Sequence, residues 1–277
     1  LNAHPNNFFL AAYLAENHLG PKAGYGFPFI VDYGYHFDSG LLGQFLRKKA
    51  ENMGVSYISA NVQDVTLNNS GDIKSLSLDT QEEDIQADIF VDCTGFRSLL
   101  LQGALKTPFK SFSNNLFNDS AVTIASPSKP ELSSQTISTA MKYGWAWEIP
   151  LTHRIGNGYV YSSSHCSADD AETELRKKLN ILDSDQEARH IKMKVGRVEK
   201  HWAKNCVGVG LSQGFIEPLE ATALHLVQDT IQKFMVAYES ANFTEKTREE
   251  FNQNINARFE GIRDYIVAHY VCNSRKD

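Results

Sequence analysis

Apolar and polar residues recur along this chain in two rhythms, and the changes between them mark its elements. Residues 8–19 repeat at helical spacing until Gly20-Pro21 stops them. The stretch 21–35 is rich in Gly, Pro and aromatic residues and reads as a loop. Leu41, Leu42, Phe45, Leu46 and Ala50 then give one apolar helix face. Asp38 or Ser39 is placed to cap that helix, and Gly54 to close it. Val55–Ile58 reads as a strand. Val62–Leu67 and Ile73–Leu78 alternate on either side of Asn68-Asn69-Ser70-Gly71-Asp72, which predicts a hairpin.

Ile85, Ala87, Ile89, Phe90 and Val91 lead into Asp92-Cys93-Thr94-Gly95, a strand ending in a glycine turn. From about residue 106 to 205 the pattern is strand-rich, at 121–126, 136–143, 145–150 and 158–164. A helix is expected at 168–181 and a further strand over Ile191–Val198. After Leu219 the pattern is helical to about Tyr270. Strands and helices are interspersed without a strict βαβ rhythm, which predicts a mixed α/β (α+β) fold.

At 277 residues the chain can bury a large core, as one domain or two. Its 42% hydrophobic and 22% charged residues are those of an ordinary globular protein. The net charge of -6 argues against a nucleic-acid partner and against an acidic membrane surface. No apolar run approaches the ~20 residues that span a bilayer. Cys93, Cys166, Cys206 and Cys272 lie far apart, which favours reduced thiols and a cytoplasmic setting. The histidines show no ligand spacing, so no metal site is expected. The chain opens on Leu1 and stops at Asp277, and it is expected to be cut at both ends from a longer protein.

Gly210–Leu224 carries the most chemistry. A short apolar run, Cys206–Val209, precedes it and an amphipathic helix follows. Glu217-Pro218 predicts the helix start, because proline suits the first helical position. Glu220, Thr222 and Ala223 then fall in the first turn, where unpaired N–H groups and the helix dipole favour negative charge. Such a junction can hold an anion. Two carboxylates there would compete with one, so a capped helix with an acidic first turn stands as the alternative.

Three separated motifs agree with one another. They are Val91-Asp92-Cys93-Thr94-Gly95, the Trp-x-Trp-x-Ile-Pro of Trp145, Trp147, Ile149 and Pro150, and Gly210-Leu211-Ser212 through Glu217-Pro218-Leu219-Glu220-Ala221-Thr222. In order and spacing they resemble the flavin-dependent tryptophan halogenases, over almost the whole chain. Tyr35-His36-Phe37-Asp38, Arg263-Asp264-Tyr265 and Ala268-His269-Tyr270 are also similar to that family.

The resemblance implies an FAD/NAD(P)-binding flavoprotein fold of the aromatic-hydroxylase type. Residues 35–105 and 200–240 would form its FAD-binding part, 106–199 a strand-rich substrate side, and 241–277 a helical part. By resemblance, Val62 lies at the adenosine end of FAD, and Leu211 and Leu224 beside the flavin. Thr222 and Ala223 would hold chloride or bromide through backbone N–H groups, and Glu220 matches the active-site glutamate. The implied activity is FADH2-dependent halogenation of an electron-rich aromatic such as tryptophan or another indole, through flavin hydroperoxide and hypohalous acid. The implied partners are a separate flavin reductase and a small aromatic substrate, free or carrier-tethered, with a homodimer left open. Trp145 and Trp147, which share a strand face, would shape the passage between flavin and substrate.

The chain departs from the family in several places. The Gly-x-Gly-x-x-Gly that cradles the FAD pyrophosphate is not in it, and the family's lysine belongs to a segment before Leu1. Lys22 is not assigned that role. The part that helps wall the tryptophan pocket is also missing. Ala221 stands where many members have serine, and Ala223 where they have glycine. On its own the chain is therefore expected to hold FAD weakly. A flavin-dependent aromatic monooxygenase and a non-catalytic module that binds flavin or an aromatic are the rival readings. Cys93 reads as a buried small hydrophobe, and His36 and His225 as packing or hydrogen-bonding residues. Arg97 could meet a cofactor phosphate or lie on the surface, and Glu217 could be a helix cap.

Overall fold

The computed structural model describes residues 4–22, 24–28 and 33–275. In chain order α1 is Leu10–Glu16 and α2 is Ser39–Asn52. They are followed by β1 (Val62–Leu67), β2 (Ile73–Leu78), β3 (Gln81–Ile85), β4 (Phe90–Asp92) and β5 (Phe109–Ser111). β6 (Ser120–Pro127), β7 (Ile137–Met141), β8 (Gly144–Pro150) and β9 (Arg154–Tyr161) precede α3 (Ala168–Leu179). β10 (Arg189–Lys192), β11 (Gly196–Val198), β12 (Trp202–Ala203), β13 (Cys206–Gly208) and β14 (Gly214–Phe215) then lead to α4 (Ala223–Ser240) and α5 (Arg248–Val271). This is a mixed α/β architecture with C-terminal helices, as the two rhythms predicted. By their contacts the residues group into two units, Leu1–Tyr57 with Ser120–Ile191 and Ile58–Asp119 with Lys192–Asp277.

The first unit is built on a five-stranded sheet in the order β10-β6-β9-β8-β7. Ala171 and Leu175 of α3 pack on Val122, Ile124 and Tyr159 of that sheet. Ser167 caps α3 by accepting from the Asp170 N–H at 3.1 Å, and Asn180 closes it with φ 56. Trp147 lies opposite Gly158 in the β8–β9 register. A Cβ on Gly158 would collide with the Trp147 ring, so glycine makes the room for the indole.

α2 forms over the expected residues. Asp38 caps it, accepting from the Gly40 and Leu41 N–H groups at 2.9 and 3.1 Å. The Arg154 guanidinium donates to the other carboxylate oxygen at 3.0 Å. These bonds hold the Asp38 carboxyl below its ordinary pKa, the Leu41 N–H most of all and Arg154 next. The apolar stripe of α2 is present, but Leu41, Phe45 and Leu46 are exposed rather than packed.

The second unit holds three small sheets, ordered β1-β2-β3, β14-β11-β5 and β12-β13-β4. The hairpin forms as its turn chemistry demands, with the Asn68 side chain accepting from the Ser70 and Asp72 N–H groups. β4 and β13 run parallel, and their core gathers Phe90, Leu100, Leu101, Val198 and Cys206. α5 buries Phe251, Ile255, Phe259 and Ile266 along one face, in a cluster that includes Trp202. Each such side chain contributes about 1.5–3 kcal/mol by leaving water.

Three sequence expectations fail. Val55–Ile58 lies outside any strand. Its Val55 and Ile58 are exposed, so nothing rewards extended pairing there. Ile191–Val198 is not one strand. It breaks into β10 and β11, which pair in different sheets. The third concerns α4, which starts at Ala223 and not at Pro218. The Pro218 carbonyl accepts from the Ala221 N–H at 3.0 Å, closing a single turn. Ala221 then adopts φ 53, and that left-handed residue interrupts the helix.

Candidate functional site

β4 and β13 lie side by side in parallel, and each ends in a glycine turn. Gly95 has φ 70 and Gly210 has φ 72, conformations that favour glycine. The carboxyl ends of parallel strands are where open α/β sheets bind ligands. Asp92 organises this end. It is fully buried, and one oxygen accepts from the Thr94 N–H and hydroxyl at 3.0 and 2.7 Å. The other oxygen accepts from the Leu100 and Leu101 N–H groups, both at 2.9 Å. The Asp92 carbonyl accepts from the Ser212 hydroxyl and from the Val209 N–H, which ties one turn to the other. Ser98 donates to the Ser212 carbonyl at 2.8 Å. Asp92-Cys93-Thr94-Gly95 was visible in the sequence as a strand ending in a glycine turn, but the Asp92 bonds to Thr94, Leu100 and Leu101 were not.

The 3-10 turn Gly210–Ser212 packs on α4. A Cβ on Gly210 would lie 3.8 Å from Val227. Leu211 on that turn is 41% exposed and Leu224, the second residue of α4, is 56% exposed. Two large apolar side chains thus face outward at the carboxyl end of the β4–β13 pair. Val62 is the first residue of β1, half-buried and opposite Leu78. Its strand packs through Val65 on the core that contains Phe90.

Thr222 is the residue before α4, and its side chain makes no capping bond. Its hydroxyl oxygen is buried and without a hydrogen-bond partner among the described residues. Ala223 is the first helical residue. No acidic residue sits in the first turn of α4, which corrects the expected placement of Glu220 there. Both nearby carboxylates are engaged elsewhere. Glu217, fully buried, accepts from the Asn118 side chain at 2.8 Å and the Tyr270 hydroxyl at 2.7 Å. It is therefore a buried anchor and not a helix cap. Glu220 lies 2.9 Å from His269 on α5. The competition between carboxylate and anion is thus removed, and the N–H groups opening α4 have no side-chain cap among the described residues. An unpartnered buried hydroxyl, an uncapped helix start and two outward leucines fit a halide beside a flavin ring.

The remaining motif residues lie in the first unit. Trp145 and Trp147 share a face of β8, their rings 5.9 Å apart and tilted by 53°. Trp145 is buried and Trp147 half-buried. Ile149 and Pro150 end the strand opposite Gly156 and Ile155. His36 contacts the Pro150 carbonyl at 3.2 Å and the Thr136 hydroxyl at 3.0 Å, a hydrogen-bonding role. His225 is exposed on α4. Cys93 is exposed, which corrects the buried reading. Partial desolvation and the adjacent Asp92 carboxylate nonetheless raise its thiol pKa, away from nucleophile chemistry. Among the described residues no cluster of His, Cys, Asp and Glu could hold a metal ion. No helix among them is long and apolar enough to cross a membrane.

A parallel pair ending in two stitched glycine turns, with an uncapped helix start near them, is the kind of strand end at which open α/β sheets bind ligands. The family described as tryptophan halogenase matches residues 18–277, and the chain belongs to it. It is 39% identical over 248 residues to the 7-chloro-L-tryptophan 6-halogenase KtzR of Kutzneria sp. (strain 744), covering 88% of this chain and 48% of that protein. It is 35% identical to the tryptophan 7-halogenase RebH of Lentzea aerocolonigenes, over 90% of this chain and 47% of that protein. The structure of BrvH, a flavin-dependent halogenase from Brevundimonas sp. BAL3, superposes with a TM-score of 0.90 at 36% identity, covering 100% of this chain and 57% of that one. The chain spans about half the length of the curated relatives it matches.

Proposed function

We propose that this chain carries the flavin-facing and halide-holding part of an FADH2-dependent halogenase acting on an electron-rich aromatic, tryptophan or another indole. Reduced FAD, when bound, supplies with O2 the oxidising equivalent that converts halide to hypohalous acid. Leu211 and Leu224 flank the flavin ring, and Val62 meets the adenosine end. The N–H groups at Thr222 and Ala223 hold the halide, favoured by the dipole of α4. Glu220 polarises the oxidant or takes the proton from the ring. Trp145, Trp147, Ile149 and Pro150 shape the passage to the substrate. A separate reductase delivers reduced FAD by diffusion. By the family resemblance Ala221 and Ala223 stand where many tryptophan halogenases have serine and glycine, which weakens the case for tryptophan in particular and leaves free indoles, phenols, pyrroles and a carrier-tethered arene open as substrates.

The observation that carries this reading is the start of α4, where among the described residues no side chain caps the helix and the Thr222 hydroxyl has no partner, while both neighbouring carboxylates are turned to other partners. A hydroxylase would share the flavin site but leaves that helix start without a use. The test is to express the complete natural polypeptide with a flavin reductase and to supply O2, bromide and simple indoles. A brominated product is expected by mass. A hydroxylated product, or none with any activated arene, defeats the proposal.

A further inference from the structure

The geometry points to a proton-sharing dyad between Glu220 and His269, whose role rests on the halogenase reading above. His269 lies near the end of α5, edge-on to Tyr265 with ring centroids 4.8 Å apart. Its Nδ1 is 2.9 Å from the Tyr265 carbonyl oxygen. A carbonyl only accepts, so Nδ1 carries a hydrogen. In the neutral ring Nε2 is then the bare nitrogen. Yet Nε2 is 2.9 Å from Glu220 Oε1. Two lone pairs facing each other at that distance repel, so a proton lies between them. The dyad is imidazolium beside carboxylate, or imidazole beside carboxylic acid, with one shared proton in either case. Oε1 is thereby committed to His269, which leaves Oε2 as the oxygen to act as a base.

The reaction assigns that base a task. When hypohalous acid attacks the arene, the carbon–halogen bond forms as the oxygen–halogen bond breaks, and the bonding pair leaves with oxygen as hydroxide. The ring carbon then gives its proton to Glu220 Oε2, and the C–H electron pair restores the aromatic ring. As Oε2 is protonated the shared proton settles on His269 Nε2. The dyad now holds one proton more than at rest. That proton converts the hydroxide to water, so the products are haloarene and water and the dyad returns to its resting count. The two side chains, His269 32% and Glu220 42% exposed, leave a path for the exchange. His269 is thus a positioning residue acting through Glu220.

Two measurements decide this. Two-bond 1H–15N correlation spectra of the 15N-histidine-labelled chain are expected to show His269 protonated at Nδ1, with its ring nitrogens displaced in Glu220→Gln. The His269 signal is identified by its loss in His269→Gln. A bare Nδ1, or a His269 signal that Glu220→Gln leaves in place, overturns the dyad. In the halogenating protein, His269→Gln keeps an N–H toward Glu220 but cannot take up a proton. The ratio of haloarene formed to hypohalous acid caught by a small-molecule trap is expected to fall about tenfold, a fraction of the usual effect of a general base. An unchanged ratio overturns the proton-sharing role, because an amide N–H would then suffice. If the unsubstituted protein releases no hypohalous acid, the halogenase reading fails instead, and the spectra still decide the dyad.

Discussion

At the start of α2 the Asp38 carboxylate accepts from two backbone N–H groups, and at the start of α4 Thr222 caps nothing. α3 follows α2, with Ser167 as its cap and Asp169 and Asp170 in its first turn. A helix start needs partners for its N–H groups and favours negative charge. α2 and α3 find both in their own side chains. Near α4 the carboxylates exist, but Glu217 is held by Asn118 and Tyr270 and Glu220 by His269. The difference teaches that two consecutive residues of α5 keep a neighbouring helix start open. A self-capped end stabilises the fold, whereas an end kept open is available to an anion.

Neutralising Glu220 and Asp38 should break the comparison most visibly. On the function proposed above, Glu220→Gln is expected to lower arene turnover about 100-fold, or about 2.7 kcal/mol in the barrier, measured by product formation. Asp38→Asn should lower stability and leave that turnover in place. Tyr270→Phe removes a donor from the buried Glu217 carboxylate, and chemical denaturation should show a loss of about 2 kcal/mol.

The anchoring of α5 is open to test by pH. The Glu260 carboxylate accepts from Lys110 at 2.7 Å and from Arg197 at 2.6 Å. These bonds, Lys110 first, lower its pKa from 4.5 to about 2. The unfolded chain therefore takes up the proton first as pH falls. The stabilisation is present above about pH 4.5 and is lost toward pH 2. Denaturation midpoints across that range should decline less steeply in Glu260→Gln than in the unsubstituted chain.

Removing the hydroxyl just before the helix should give different results at α3, where it caps, and at α4, where it does not. Ser167→Ala is expected to cost about 1 kcal/mol. Thr222→Val removes a buried hydroxyl that has no partner among the described residues, so stability should hold or rise slightly. A loss at Thr222→Val as large as that at Ser167→Ala would show that Thr222 caps after all. The smallest effect is expected at Ala221→Gly. It relieves φ 53 but frees the unfolded chain, for a net gain of about 0.5 kcal/mol by thermal or chemical denaturation.

Local chemistry was legible from the residues alone. The hairpin about Asn68–Asp72, the Asp38 cap of α2, α3 and the Asp92–Gly95 turn each depend on partners a few positions apart, and the motif set identified the family. The α2 stripe shows the limit of periodicity, which says which face is apolar but not what covers it. The start of α4 and the disposition of its carboxylates were not legible. Glu217 finds Asn118 across 99 positions and Tyr270 across 53. Proline at position 218 argued for a helix there, but a buried carboxylate pinned just before it and a left-handed Ala221 just after it decided otherwise. Sequence determined which groups the chain owns and which short turns they make. The tertiary structure decided which charges meet, because hydrogen bonding depends on distance in space and not along the chain.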